Sequence, residues 1–242
     1  MKITILQRNI EWANPQANIA RADEAISCLL DADLFVLPEM FSTGFCTQPE
    51  GIAESADSET LHWMKRKAAE RNCAIAGSVA VCENGNYYNR FYFVHPDGAV
   101  QHYDKKHLFT FGGEHKRFTA GTERVVVNFR GVRILLEGCY DLRFPVLARN
   151  LGEYARVDAW SALLRARAIE NQCYVAGVNR MGVDPACEYS GGSAIIDPYG
   201  KTIAECPWSR ESAVSADIDM EALQAFRKKF PVLDDADPFT LI

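Results

Sequence analysis

With 242 residues the chain is long enough to bury a sizeable core in one domain. Hydrophobic residues at 48% and charged residues at 24% give the balance of a folded globular protein, which excludes a disordered chain, and no apolar run approaches a bilayer span. A formal net charge of −6 without a dense Lys/Arg run excludes a nucleic-acid backbone as the main partner, because phosphate neutralisation drives that binding.

The N-terminal "ITILQ" alternates apolar positions and predicts a strand; with no leader-like apolar stretch before it, the cytoplasm is the expected compartment. "NPQANIARADEAISCLL" predicts a helix capped by Asn14, with Pro15 in its first turn and Ile19, Ile26 and Leu30 on one face. "DLFVLPE" is a continuous apolar strand stopped by Pro38. A helix capped by Ser58 follows, then the buried strand "CAIAGSVAV". Two hairpins come next, one through Pro96-Asp97-Gly98 in "NRFYFVHPDGAVQHYDKKHLF" and one through Arg130-Gly131 in "VVVNFRGVRILLEGC". "DAWSALLRARAIENQ" predicts a helix, "CYVAGVN" a strand, "SAIIDPYGKTIAEC" a hairpin, "AVSADI" a strand and "MEALQAFRKKF" a helix. The expected fold class is α/β: a four-layer α-β-β-α sandwich of two mixed sheets flanked by helices, forming a single domain over 1–242 with 231–242 as a C-terminal tail.

Eight cysteines, at 28, 46, 73, 82, 139, 173, 187 and 206, are scattered without a C-x-x-C pair, so neither a zinc site nor a disulfide framework is expected. Cys139 stands in "EGCYDLRFP", where a strand gives way to a helical turn. Unpaired N–H groups at such a turn favour a thiolate. Read alone, it is a small core residue more often than a nucleophile. No G-x-S-x-G, G-x-x-x-x-G-K or G-x-G-x-x-G occurs, which removes the serine-hydrolase elbow, the P-loop and the dinucleotide fingerprint. Glu39 closes the strand "LFVLPE" at the carboxyl end, where ligands collect in α/β sheets, although a solvated loop carboxylate fits that position equally. Lys105 ends "VQHYDK", a place where surface lysines are common.

Taken together and in order, "LPEMFSTGF", "YDKKHLF" and "CYDLRFP" resemble the carbon–nitrogen hydrolase (nitrilase) superfamily. "NRFYFV", "LLRARAIENQCYVAGVNR", "YSGGSAIIDPYG" and "KFPVLDDAD" extend the resemblance over nearly the whole chain, toward the small bacterial omega-amidases. The resemblance implies that Glu39 is the general base, Lys105 the oxyanion-stabilising cation and Cys139 the nucleophile. It also implies that Glu114 in "FGGEH" supports Lys105 and that the backbone N–H of Tyr140 joins the oxyanion site. Phe41, Phe45 and Arg143 become substrate-pocket candidates, with core packing open for both phenylalanines and a structural pairing open for Arg143. The implied substrate is the terminal amide of a short 2-oxo dicarboxylic acid such as 2-oxoglutaramate, cleaved through a thioester without metal or organic cofactor; the implied assembly is a homodimer. An aliphatic amide, a nitrile or an N-carbamoyl amine is the alternative substrate.

One departure stands out. Between "RNLGEY" and "ARVDAW" the family carries about a dozen more residues, an apolar central strand ending in a segment that lines the active site. Without it, two helices meet directly at Tyr154 and Ala155. Either a stretch of the natural chain is missing at this junction, or the deletion is genuine and a non-catalytic homologue becomes the alternative reading.

Overall fold

The computed structural model describes residues 1–144, 156–185 and 187–233, without the side chains of 156–159. The junction of Tyr154 and Ala155, where an extra strand is expected, lies outside the described residues, as does most of the expected tail. Strand β1 (Lys2–Gln7) leads into helix α1 (Pro15–Cys28), which begins where Asn14 Oδ1 accepts the N–H of Ala17 at 3.2 Å. Ala22 and Ile26 face inward, but the helix stops at Cys28. Leu30, expected on the same face, is 85% exposed because the 3.6-residue phase no longer places it.

After β2 (Leu34–Val36) and the short β3 (Glu54–Ser55), α2 (Glu59–Arg71) opens on Ser58 Oγ, which accepts the N–H of Leu61, and ends on Asn72 in the left-handed region. β4 (Ala74–Glu83) turns through Asn84-Gly85, both at positive φ, into β5 (Asn86–Val94). That dipeptide is a strong hairpin signal, and it starts β5 before the segment "NRFYFV" suggests. β6 (Val100–Asp104) returns through the expected Pro96-Asp97-Gly98 turn, and β7 (Val126–Phe129) pairs with β8 (Val132–Leu135) around Arg130-Gly131. A single 3-10 turn over Cys139–Arg143 follows. Then come α3 (Arg156–Glu170), β9 (Val175–Gly177), β10 (Met181–Val183), β11 (Glu188–Ser190), β12 (Ala194–Ile196), β13 (Thr202–Glu205), β14 (Ser212–Asp217) and α4 (Met220–Lys229).

The principal sheet has the order β14-β1-β2-β4-β5-β6, with β3 on β4; β1, β2 and β4 run parallel, joined by the α1 and α2 crossovers. The remaining strands form β13-β12-β9, β7-β8 and β10-β11. Among the described residues, β8 and β9 each pair on one side only. One buried cluster, including Ile26, Phe35, Phe41, Trp63 and Ile75, fills the space between α1, α2 and the principal sheet. A second joins Ile5, Phe93 and Tyr103 on the sheet to Val127, Phe129 and Ile195. A third packs Leu164 and Ala168 of α3 against Ala194 and Ile196. Among the described residues no helix is long and apolar enough to cross a membrane.

Candidate active site

The parallel strands place their carboxyl ends along one edge, and the chain leaving β2 stays on that edge. Leu37 donates its N–H to Ala76 O at 2.8 Å, and Met40 donates its own to Ser78 Oγ at 2.8 Å. These bonds fix Glu39 between them. From the far side of the sheet Lys105 extends the β5–β6 ladder, its N–H bonded to Asn89 O at 2.9 Å. The lysine is 2% exposed, yet its ammonium donates to Glu39 Oε1 at 2.8 Å and to Glu114 Oε2 at 3.0 Å. Burial alone would lower its pKa. The charges of Glu39, Glu114 and Cys139 outweigh that and hold it above its ordinary value.

Glu114 has no exposed surface and also accepts the N–H of Phe109 at 2.6 Å. Asn89 completes the cluster, its amide nitrogen donating to Glu39 Oε1 at 2.8 Å and to Glu114 Oε1 at 3.0 Å.

Cys139 opens the turn after β8 with its side chain exposed. The thiol is nonetheless pushed up to about 12, first by desolvation among the surrounding groups, then by Glu39, with Lys105 pulling the other way and Glu114 and Asp141 adding to the rise. Since the side chain is open on one side, the direction of that shift carries the chemistry: the resting group is a thiol. The expected lowering by a helix start does not hold, because a single 3-10 turn faces several carboxylates. Gly138 lets this turn lie on the lysine, since a Cβ there would stand 3.2 Å from Lys105 Cγ.

Asp141, fully buried, ties the two segments together. It accepts from Gly138 N at 2.9 Å, Tyr103 Oη at 2.7 Å and His107 N at 2.9 Å, and lies 2.7 Å from His107 Nδ1. Arg167 on α3 holds the same turn from behind, donating from Nη2 to Leu142 O at 2.8 Å. Glu137, two residues before the cysteine, keeps a buried Oε1 without a hydrogen-bond partner among the described residues, and desolvation together with Asp141 pushes its carboxyl up to about 7.

The pocket candidates separate. Phe45 lies with its ring centroid 5.3 Å from Lys105 Nζ and packs edge-on to Phe109, which meets Tyr140 at 5.2 Å. Phe41 instead packs on Trp63 in the core beneath α1 and α2. Arg143 is half-buried at the end of the turn that Cys139 opens. Sequence reasoning missed Asn89, Asp141 and Phe109. For Asn89 a signal existed: an asparagine is out of place in the interior of a strand rich in aromatic residues.

Comparison with known proteins identifies the family. A family model described as carbon-nitrogen hydrolase matches residues 2–228. An omega-amidase, YafV, of Escherichia coli strain K12 is 44% identical over 254 positions, covering 100% of this chain and 98% of its own. Because that alignment takes in all 242 residues, about a dozen positions of the relative have no counterpart here. A 2-oxoglutaramate amidase of Bacillus subtilis strain 168 is 36% identical over 250 positions, covering 96% of each chain. Among solved structures, a CN-hydrolase superfamily protein of Xanthomonas campestris with an arsenic adduct in its active site superimposes with a TM-score of 0.95 at 40% identity, covering 100% of this chain and 99% of its own.

Proposed function

Because the chain belongs to the carbon–nitrogen hydrolase family, we propose that it is a cysteine-dependent omega-amidase, releasing ammonia from a short 2-oxo dicarboxylic acid amide such as 2-oxoglutaramate. The observation that carries this reading is the Lys105 ammonium held by Glu39 and Glu114 beside Cys139.

The chemistry follows from the resting thiol. Glu39 takes the Cys139 proton as the sulfur attacks the amide carbon. An ammonium has three N–H donors, and two of those of Lys105 are engaged by Glu39 and Glu114. The third, with the backbone N–H of Tyr140, meets the developing oxyanion, each such donor lowering the barrier by about 3 kcal/mol. Glu39 returns the proton to the leaving nitrogen, ammonia departs and a thioester remains. Glu39 then takes a proton from water, whose attack releases the carboxylate and the thiol. Phe45, Phe109 and Tyr140 supply an apolar wall that keeps the amide end of the substrate out of bulk water.

The expected result is ammonia from 2-oxoglutaramate at a rate well above that from glutamine or a simple nitrile. Turnover of the nitrile or of an aliphatic amide instead would move the protein elsewhere in the family. Release from none of them would favour the non-catalytic alternative raised by the missing segment.

The same reading makes 1–242 one domain built as four layers, which the three successive apolar clusters support. It also places the protein in the reducing cytoplasm, in keeping with eight free cysteines, and fractionation of cells checks this. Association as a homodimer is supported by an apolar patch on the outer side of α3 and α4. There Ile169, Tyr199 and Phe230 are 53%, 67% and 57% exposed, and Tyr199 packs on Phe226 at 4.2 Å. Light scattering is expected to give a dimer for the wild type and a monomer for Phe230→Glu; a wild-type monomer at micromolar concentration would reject the dimer.

A further inference from the structure

Glu39 Oε1 accepts two hydrogen bonds, from Lys105 Nζ and from Asn89 Nδ2, both at 2.8 Å, while Glu39 Oε2 accepts none among the described residues. We infer that Asn89 is a positioning residue that commits Glu39 to a single basic atom: by donating its two amide hydrogens to Glu39 Oε1 and Glu114 Oε1, it leaves Glu39 Oε2 as the oxygen that takes the Cys139 proton. This rests on Glu39 being the base of the proposed amidase and adds which atom acts and what selects it.

The orientation of the amide is not arbitrary. Both neighbours are carboxylates, which offer only acceptors, so the nitrogen of Asn89 and not its oxygen must face them. Asn89 itself is 2% exposed and cannot swing into solvent, and its carbonyl accepts from Lys105 N, so side chain and backbone of one residue hold the base and the cation together.

The charges explain why a donor is needed. Two carboxylates share one ammonium, so the cluster carries an excess negative charge in a site with little water. Among the described residues, the charges acting on Lys105 and Cys139 beside the amide come from Glu39 in the loop after β2, Lys105 after β6, Glu114 from its 3-10 turn, and Cys139 with Asp141 from the turn after β8. Arg90, the next residue on β5, turns to the other face of the strand, where it pairs with Asp104 and Glu83. Hydrogen bonds to a carboxylate favour its charged form; without the two amide hydrogens that support is gone, and the shared Oε1 would be free to compete with Oε2. In the proton-transfer step the S–H bond of Cys139 breaks as O–H forms on Glu39 Oε2, and no other reactant is consumed.

The test compares wild type with Asn89→Leu, which keeps the branching of the side chain and removes both donors. The acid limb of kcat/KM is expected to rise by roughly one pH unit, with kcat down about tenfold to a hundredfold and KM within about threefold. Alkylation of Cys139 by iodoacetamide, followed on the Cys139 peptide by mass spectrometry, is expected to show the same rise in its acid limb. That arm needs no amide substrate, so it still decides the role of Asn89 if 2-oxoglutaramate is not turned over. Adding Glu114→Gln to Asn89→Leu removes one charge and is expected to return the alkylation limb toward the wild-type position. If Asn89→Leu does not fold, Asn89→Ser replaces it in both arms. An acid limb unmoved in the folded variant, or moved but not returned by Glu114→Gln, would overturn the inference.

Discussion

Replacing Cys139 by alanine is expected to lower ammonia release from 2-oxoglutaramate by about 10⁴-fold or more while leaving the fold intact. The side chain is exposed and makes no hydrogen bond among the described residues, so the change removes the sulfur and little else. Surface truncations of this kind stay within about 0.5 kcal/mol, and the urea midpoint should therefore match wild type. The activity loss is large because no neighbouring group can replace the sulfur. Ser78 and Tyr103 are tied into the fold by hydrogen bonds to Met40 N–H and Asp141, and Lys105 is committed to two carboxylates. Release that survives Cys139→Ala within tenfold would remove the nucleophile from the proposed mechanism.

Lys105→Met should damage both catalysis and stability, and the two losses have different causes. One oxyanion donor is lost, worth about 10²–10³ in kcat. Separately, Glu114 with no exposed surface and Glu39 at 19% are left facing each other without a cation, which costs about 3–5 kcal/mol of stability. The pH dependence follows from the signs. In the wild type the lysine's pKa is raised on folding, so its contribution is fully present below the unfolded value of about 10.4 and is lost only as pH climbs through the still higher folded value. Between pH 5 and 8, by this reasoning, it is constant. The loss of the ion pairs is therefore expected to show by urea unfolding at both pH 5 and pH 8. A variant as stable as wild type at both would mean that the buried cluster is not ion-paired in solution.

What could be read from the sequence was what local chemistry decides. Asn14 and Ser58 cap their helices, the Pro96-Asp97-Gly98 turn closes its hairpin, and Glu39 emerges at the carboxyl end of a parallel strand. What escaped depends on residues far apart in the chain. Asn89 reaches Glu39 across 50 positions and Tyr103 reaches Asp141 across 38, and no spacing rule links such pairs. Phe41 and Phe45 look alike in "EMFSTGF", yet one turns to the helices and the other to Lys105; the bend at Gly44, at a positive φ of 79, lies between them. The direction of the thiol shift was misjudged because a helix start is visible in sequence, while the desolvation and the carboxylates that oppose it are not.

Asp141 also determines how the site tolerates motion. Tyr103, His107 and Gly138 all bond to this one carboxylate, and Lys106 N–H bonds to the Tyr103 hydroxyl, so the lysine's segment is fastened on both sides to the turn that carries the thiol. Lys105 is itself bonded to Asn89 O on the principal sheet and to Glu39, so Asp141 moors the Cys139 turn to the frame that holds both the proposed base and the proposed oxyanion cation. A shift of the turn against the sheet would therefore displace the sulfur from both at once. Loosening of the Asp141 contacts should be felt first as a misplaced thiol, while the pairing of Lys105 with Glu39 persists.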